Sequence, residues 1–139
     1  MYTVKQVAKM LNLTEHTVRF YTDKGLVPKL KRDKNNIRIF DDEAIHWLTG
    51  VKYLKECGMS IASIKQFIDL CVEGDATIPA RYEIILAQTK LAQEQLEQAK
   101  QRVAYMEYKK ELYQEIVNQT IPDTTNPGQW SKLPIHEAI

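Results

Sequence analysis

Cysteine is scarce: Cys57 and Cys71 are the only two in 139 residues. That is too few for a disulfide scaffold. Long apolar runs are missing as well, and nothing approaches the roughly 20 residues that cross a bilayer as a helix. The N-terminal Met1-Tyr2-Thr3-Val4-Lys5 does not read as a basic-then-apolar export signal. The expected location is therefore the cytoplasm, with both thiols reduced and no membrane partner. The three histidines, His16, His46 and His136, are far apart in sequence. No nucleophile–base–orienter pattern and no phosphate loop accompany them, so the chain does not read as an enzyme. Cys57, Cys71 and His46 lack metal-ligand spacing, and the four-cysteine grouping of an iron–sulfur site is absent. No metal or cofactor is expected.

What is present describes a folded chain. Hydrophobic residues make up 44% and charged residues 27%, which excludes a disordered polyelectrolyte. The net charge is only +1, but it is unevenly spread. Residues 1–40 carry nine Lys/Arg against three Asp/Glu, and residues 41–139 carry ten against fifteen. A balance of +6 in a short segment points to a polyanion partner for that segment. A merely solvated basic face is the blander alternative.

The first forty residues read as a helix-turn-helix with a wing. Thr3 and Gln6 form a capping-box pattern, and Val4, Val7, Ala8 and Leu11 follow at helical spacing. Asn12 breaks the run. Thr14 caps a second helix through Val18, Tyr21 and Thr22, and Gly25 stops it. Val27–Lys31 and Ile37–Phe40 then predict a short hairpin around the Asp33-Lys34-Asn35-Asn36 turn. Asp41 or Asp42 caps a third helix with Ala44, Ile45, Leu48, Val51 and Leu54 on one face, ending at Gly58. Ser60 caps a fourth helix, with Ile61, Ile64, Phe67, Ile68 and Cys71 on one face and Gly74 as its stop.

From Ile78 the pattern changes. Apolar positions recur in unbroken steps of four and three from Ile78 to Val117, broken in chemistry only by Thr89 and Lys110. Such a heptad seam predicts one long helix to about Gln119, near 60 Å at about 1.5 Å per residue. A chain this small cannot cover that stripe alone, so a homodimer through Ile85, Leu96, Val103, Met106 and Tyr113 is expected. An intramolecular helical hairpin is the alternative, although no Gly or Pro after Pro79 offers a turn. The expected divisions are residues 1–75, 76–119 and a C-terminal tail, 120–139. The tail holds three of the five prolines, and Trp130, Leu133 and Ile135 are its expected pins.

Particular residues carry a family likeness. They are Tyr2-Thr3-Val4, Leu13-Thr14, Thr17-Val18-Arg19-Phe20-Tyr21, Lys24-Gly25-Leu26-Val27-Pro28, Arg32, Asn36-Ile37-Arg38-Ile39-Phe40, Gly58-Met59-Ser60-Ile61 and Ile64-Lys65. This pattern resembles the MerR family of bacterial transcription regulators over residues 2–71. The long helix extends the likeness to about residue 119. The stretch from Phe67 to Asp75 and residues 105–113 resemble the thiol-containing branch that answers aldehyde and nitrosative stress. The resemblance implies a mainly α fold: a winged helix-turn-helix followed by a helix that forms an antiparallel coiled coil in the homodimer. It also implies double-stranded promoter DNA as partner, distortion of a pseudo-palindromic spacer, and engagement of RNA polymerase. A DNA-architectural or excisionase-like protein is the alternative, since it shares the winged helix without directing polymerase.

The DNA-contact candidates are Thr14, His16, Thr17, Arg19 and Tyr21 in the second helix, Arg32, Asn36 and Arg38 in the wing, and Lys65 in the fourth helix. Cations answer phosphates, and polar side chains on a helix answer base edges. Tyr21 has a core role as its alternative reading, and His16 a plain surface one. Metal-sensing relatives carry cysteines at the start and beyond the end of the long helix. This chain has Ile78-Pro79 and no such cysteines there. Drug-sensing relatives append a large domain, for which the tail is too short. The remaining effector class is a small electrophile, with Cys71 the first candidate thiol sensor and Cys57 the second. A buried thiol that only packs is the alternative for both.

Overall fold

The computed structural model describes residues 1–131 and 135. The chain forms two compact units, the first spanning Met1–Gln93 and the second beginning at Glu94. The long helix runs through both.

Local chemistry sets each start and stop in the first unit. Helix α1 (Val4–Leu11) begins at the capping box: Gln6 N–H donates to Thr3 Oγ1 at 3.2 Å, and Thr3 N–H to Gln6 Oε1 at 2.9 Å. Asn12 ends it in the left-handed region at φ +54°, which asparagine tolerates better than most residues. Helix α2 (Glu15–Asp23) is capped by Thr14, whose Oγ1 accepts from Thr17 N–H at 3.0 Å. Helix α3 (Asp42–Glu56) is capped by Asp41 through Ala44 N–H at 2.8 Å. Helix α4 (Ile61–Glu73) is capped by Ser60 through Ser63 N–H at 3.1 Å. Each cap satisfies an amide that the helix itself leaves open.

The wing is smaller than the sequence predicts. Only β1 (Lys31–Arg32) and β2 (Arg38–Ile39) pair, antiparallel, with Lys31 opposite Ile39 and Arg32 opposite Arg38. The expected strand from Val27 fails for two reasons. Pro28 lacks an amide to donate, and Lys29 sits at φ +56°. Leu26 and Val27 are drawn into the core instead, at 0% and 5% exposure. At the tip, Asp33 Oδ1 accepts from Asn35 N–H at 2.8 Å and Ile37 N–H at 3.0 Å, and Asn36 takes φ +61°. After the wing, Phe40 exchanges two 2.8 Å backbone bonds with Tyr2, tying it to the chain start.

One core unites these elements. Val7, Val18, Leu26, Phe40, Leu48, Val51, Met59 and Ile64 are fully buried, so α1, α2, the wing root, α3 and α4 all contribute. Ile84 of α5 (Ile78–Val117) packs against it. A short 3₁₀ turn at Asp75–Thr77 joins α4 to α5. There Thr77 Oγ1 contacts the carbonyls of Leu70 and Gly74 at 2.6 and 2.7 Å, closing the end of α4.

In α5 no residue is buried within the single chain. The seam residues Ile85, Leu96, Val103, Met106 and Tyr113 are 38–62% exposed. The helix ends two residues before the predicted stop, with Gln119 at φ +59° just beyond it. In the second unit the tail turns back on the helix. Thr125 Oγ1 is 2.7 Å from the Tyr113 hydroxyl and Trp130 Nε1 donates to the Thr124 carbonyl at 3.0 Å. Trp130 thus holds the tail, whereas Ile135 is 81% exposed among the described residues. Buried Thr125, satisfied by Tyr113 and Asp123, takes that role. Leu133 lies outside the described residues, as does His136.

No helix among the described residues is long and apolar enough to cross a membrane.

Candidate nucleic-acid interface

The wing, α2 and the start of α1 enclose a shallow cleft of about 330 Å³. Lys5, Arg19, Arg32 and Arg38 bring four cations to it, together with Thr3, Asn36 and Glu15. Of the nine residues singled out in the sequence, Arg19, Arg32, Asn36 and Arg38 meet here. Thr14, His16, Thr17, Tyr21 and Lys65 do not line it.

The three arginines each have an internal anchor. Arg38 Nη2 donates to Asp23 Oδ1 at 2.5 Å, joining the wing to the end of α2. Its Nε is buried with no hydrogen-bond partner among the described residues. Arg32 Nη1 donates to the Asn36 carbonyl at 3.0 Å, bracing the wing tip across the turn. Arg19 reaches Glu15 only at 3.4 Å, with both side chains about half exposed. Exposed pairs of that kind contribute little to stability. Their carboxylates are readily exchanged for a stronger anion such as phosphate, with which guanidinium forms bidentate bonds.

The other candidates divide by burial. His16 is exposed on the first turn of α2. Thr14 and Thr17 are engaged with each other, since the Thr14 hydroxyl caps the helix and also donates to Thr17 Oγ1 at 2.8 Å. The Thr14 hydroxyl fixes the N-terminus of α2, and the Thr17 hydroxyl accepts from it. Tyr21 differs most from the expectation. Its side chain belongs to the core at 6% exposure, and burial pushes its hydroxyl pKa up. It positions α2 against the core and is not part of the exposed face. The reason is the helical period: Tyr21 falls three residues after Val18, which is fully buried.

Lys65 lies apart, on α4. It bonds Asp69 at 2.5 Å, and its stem runs across the turn after α2. A Cβ at Gly25 would stand 3.1 Å from Lys65 Cε, and Gly25 has φ +74°. Glycine at that turn therefore serves both the backbone conformation and the passage of the lysine. At the wing root, Asp41 holds Lys31 at 3.0 Å. The Ala44 amide, and then Lys31, lower the pKa of its carboxyl.

Sequence reading missed Lys5 and Glu15 as members of the cleft. Lys5 was only one of nine cations in the segment, with no signal for its facing. Glu15 read as an ordinary first-turn acid, favourable to the helix dipole.

The two thiols occupy different settings. Cys57 is the exposed C-cap of α3, and its carbonyl accepts from Gln88 Nε2 at 3.1 Å. It borders an apolar cavity of about 250 Å³ with Leu54, Met59, Ile85 and Ala92. Cys71 is half-buried at the end of α4, and Arg81 Nη1 stands 3.9 Å from its sulfur. Arg81 is itself fixed by Thr77 Oγ1 at 3.1 Å and the Gly74 carbonyl at 3.3 Å.

A capped two-helix reader, a short basic wing and a long seam-bearing helix define a winged helix-turn-helix regulator of the dimeric kind. The comparisons with known proteins make that specific. The model of the MerR HTH family regulatory proteins matches residues 2–71, and the chain belongs to this family. An uncharacterised HTH-type transcriptional regulator of Haemophilus influenzae is 35% identical over 113 residues, 81% of this chain and 84% of that protein. The HTH-type transcriptional regulator AdhR of Bacillus subtilis is 39% identical over 82 residues, 59% of each chain. Among solved structures, HiNmlR, a MerR family regulator lacking the sensor domain and bound to promoter DNA, superposes with a TM-score of 0.72. It is 34% identical, and the match covers 84% of this chain and 93% of that one. These relatives are transcription regulators, which leaves the architectural alternative without support.

Proposed function

We propose that this chain is a non-enzymatic, cytoplasmic regulator that binds a pseudo-palindromic promoter as a homodimer and sets its geometry for RNA polymerase. The observation that carries the reading is the four-cation cleft between α2 and the wing. Arg19, Arg32 and Arg38 take phosphates there, with Lys5 beside them, Asn36 shapes the wing tip, and His16 faces the groove. Lys65 adds a contact from α4, and Thr14 and Thr17 hold the end of α2 that approaches the duplex. The seam of α5 places two such clefts on one dimer. Likeness to a promoter-bound relative supports the same reading. Fluorescence anisotropy with a duplex from the region upstream of the chain's own gene tests it. Binding that is saturable, dimer-stoichiometric and steeply salt-dependent is expected. Binding no tighter than to unrelated duplex overturns it.

A second reading concerns the effector. Arg81, held rigidly beside Cys71, gives that thiol a fixed cation in a half-exposed site, the setting in which thiols react with electrophiles. In that reading the sulfur adds to an aldehyde carbon, and its proton passes to the carbonyl oxygen. The adduct disturbs the junction of α4 with α5. The match to AdhR supports the branch but not the effector. Cys71→Ser should keep DNA binding and lose the response of promoter transcription to formaldehyde, while Cys57→Ser should respond as wild type. A normal response from Cys71→Ser makes it a packing residue.

A further inference from the structure

The cleft contains one feature that phosphate binding does not explain. Glu15 is the only acid lining it among the described residues, and it stands among Lys5, Arg19, Arg32 and Arg38. Its structural work is slight. Thr14 already caps α2, and Thr17 N–H goes to that cap. The one hydrogen bond to the Glu15 side chain among the described residues comes from Arg19, at 3.4 Å. Its side chain is 46% exposed on the first turn of the helix.

A carboxylate at this place faces the field of the DNA phosphates when the duplex arrives. It only accepts hydrogen bonds. Unless it meets a donor, it opposes binding. In the major groove the donors on base edges are the amines of cytosine N4 and adenine N6. Adenine places its N7 acceptor beside N6, which repels a carboxylate. Cytosine presents N4 with no acceptor of its own beside it.

We infer that Glu15 is a specificity-determining residue of the α2 reader, accepting from cytosine N4 in each operator half-site. The inference rests on the promoter-binding reading above. Arg19, released from Glu15, is then free for the adjacent phosphate. The loose 3.4 Å contact makes that exchange easy, since neither side chain gives up a well-formed bond.

Glu15→Gln tests it, because a glutamine amide donates as well as accepts and pairs with adenine N6 and N7. The full-length wild-type and Glu15→Gln dimers are each used to select from duplexes with a randomised core. Wild type should enrich a two-fold motif with cytosine at one symmetric pair of positions. Glu15→Gln should replace that cytosine by adenine and leave the rest of the motif in place. In titrations with duplexes changed at one member of the pair, the single substitution should cost about 5- to 150-fold in affinity, the usual range for one mismatched base pair. An unchanged motif, with affinity raised equally for every duplex, makes Glu15 a mere negative charge and overturns the assignment. A wild-type selection that yields no motif overturns the promoter-binding reading and the assignment with it. Circular dichroism of Glu15→Gln separates these outcomes from a lost helix.

Discussion

Leu96 tests the seam most directly. It lies near the middle of α5, which runs from Ile78 to Val117. If two copies overlap fully in antiparallel fashion, the two-fold falls between residues 97 and 98, and Leu96 lies against the partner's Ala99. Within one chain Leu96 is 57% exposed. Full burial of a leucine contributes about 1.5–3 kcal/mol, so the exposed share adds roughly 0.9–1.7 kcal/mol per copy on association. Two copies make about 1.7–3.4 kcal/mol, or roughly 20- to 300-fold in the dimer constant. Leu96→Ala should weaken the dimer by up to that range. Leu96→Glu should weaken it further, because two unpaired carboxylates would be desolvated close to the two-fold, at several kcal/mol each. Sedimentation velocity over a concentration series gives both constants, and anisotropy with promoter duplex should show DNA affinity falling in the same order. If Leu96→Glu dimerises as tightly as wild type, the seam is not the interface, and α5 is covered by something other than a second copy.

Four further outcomes are expected. Arg19→Ala and Arg38→Ala should each weaken promoter binding without altering helicity or the dimer. Each should flatten the slope of log affinity against log salt by about two for the dimer, near 0.9 per lost phosphate contact. Unchanged affinity for both would misplace the DNA face. Phe40→Ala, at a fully buried site, should cost about 3–5 kcal/mol, read as a fall in thermal midpoint of about 10 °C or more. For Asp41 the folded carboxyl pKa lies below its ordinary value of 3.8. The stability it supplies is therefore full above that value and is lost as pH falls through the lower, folded one. Asp41→Asn should remove that component of acid unfolding, measured by comparing denaturant midpoints between neutral pH and pH 3.

The parts legible in the sequence were those fixed by neighbours a few residues apart. Thr3, Thr14, Asp41 and Ser60 each announce a helix because the cap oxygen and the amide it satisfies lie within three positions. The wing was legible only at its turn, where Asp33 bonds two nearby amides. The extent of its strands was not, because Leu26 and Val27 serve a core built by distant helices. Tyr21 shows the same limit. One residue type suits both a phosphate contact and a core, and only the packing around Val18 decides between them.

The cleft was harder still, since it is assembled from α1, α2 and the wing, and charge counting weighs all nine cations alike. Counting also hides pairing. Arg38 and Lys65 are held by Asp23 and Asp69, so their charges are already partly answered inside the chain. Lys5 has no such partner among the described residues, and Arg19 has only a loose one. Lys31 is likewise answered by Asp41, an acid beyond the segment, so the +6 of the first forty residues overstates the free cation at the surface. What marks this face as the proposed DNA surface is an arrangement that sequence distance does not encode. Four cations from three elements converge beside an exposed helix start, and carboxylates hold two of them, Arg19 loosely by Glu15 and Arg38 by Asp23.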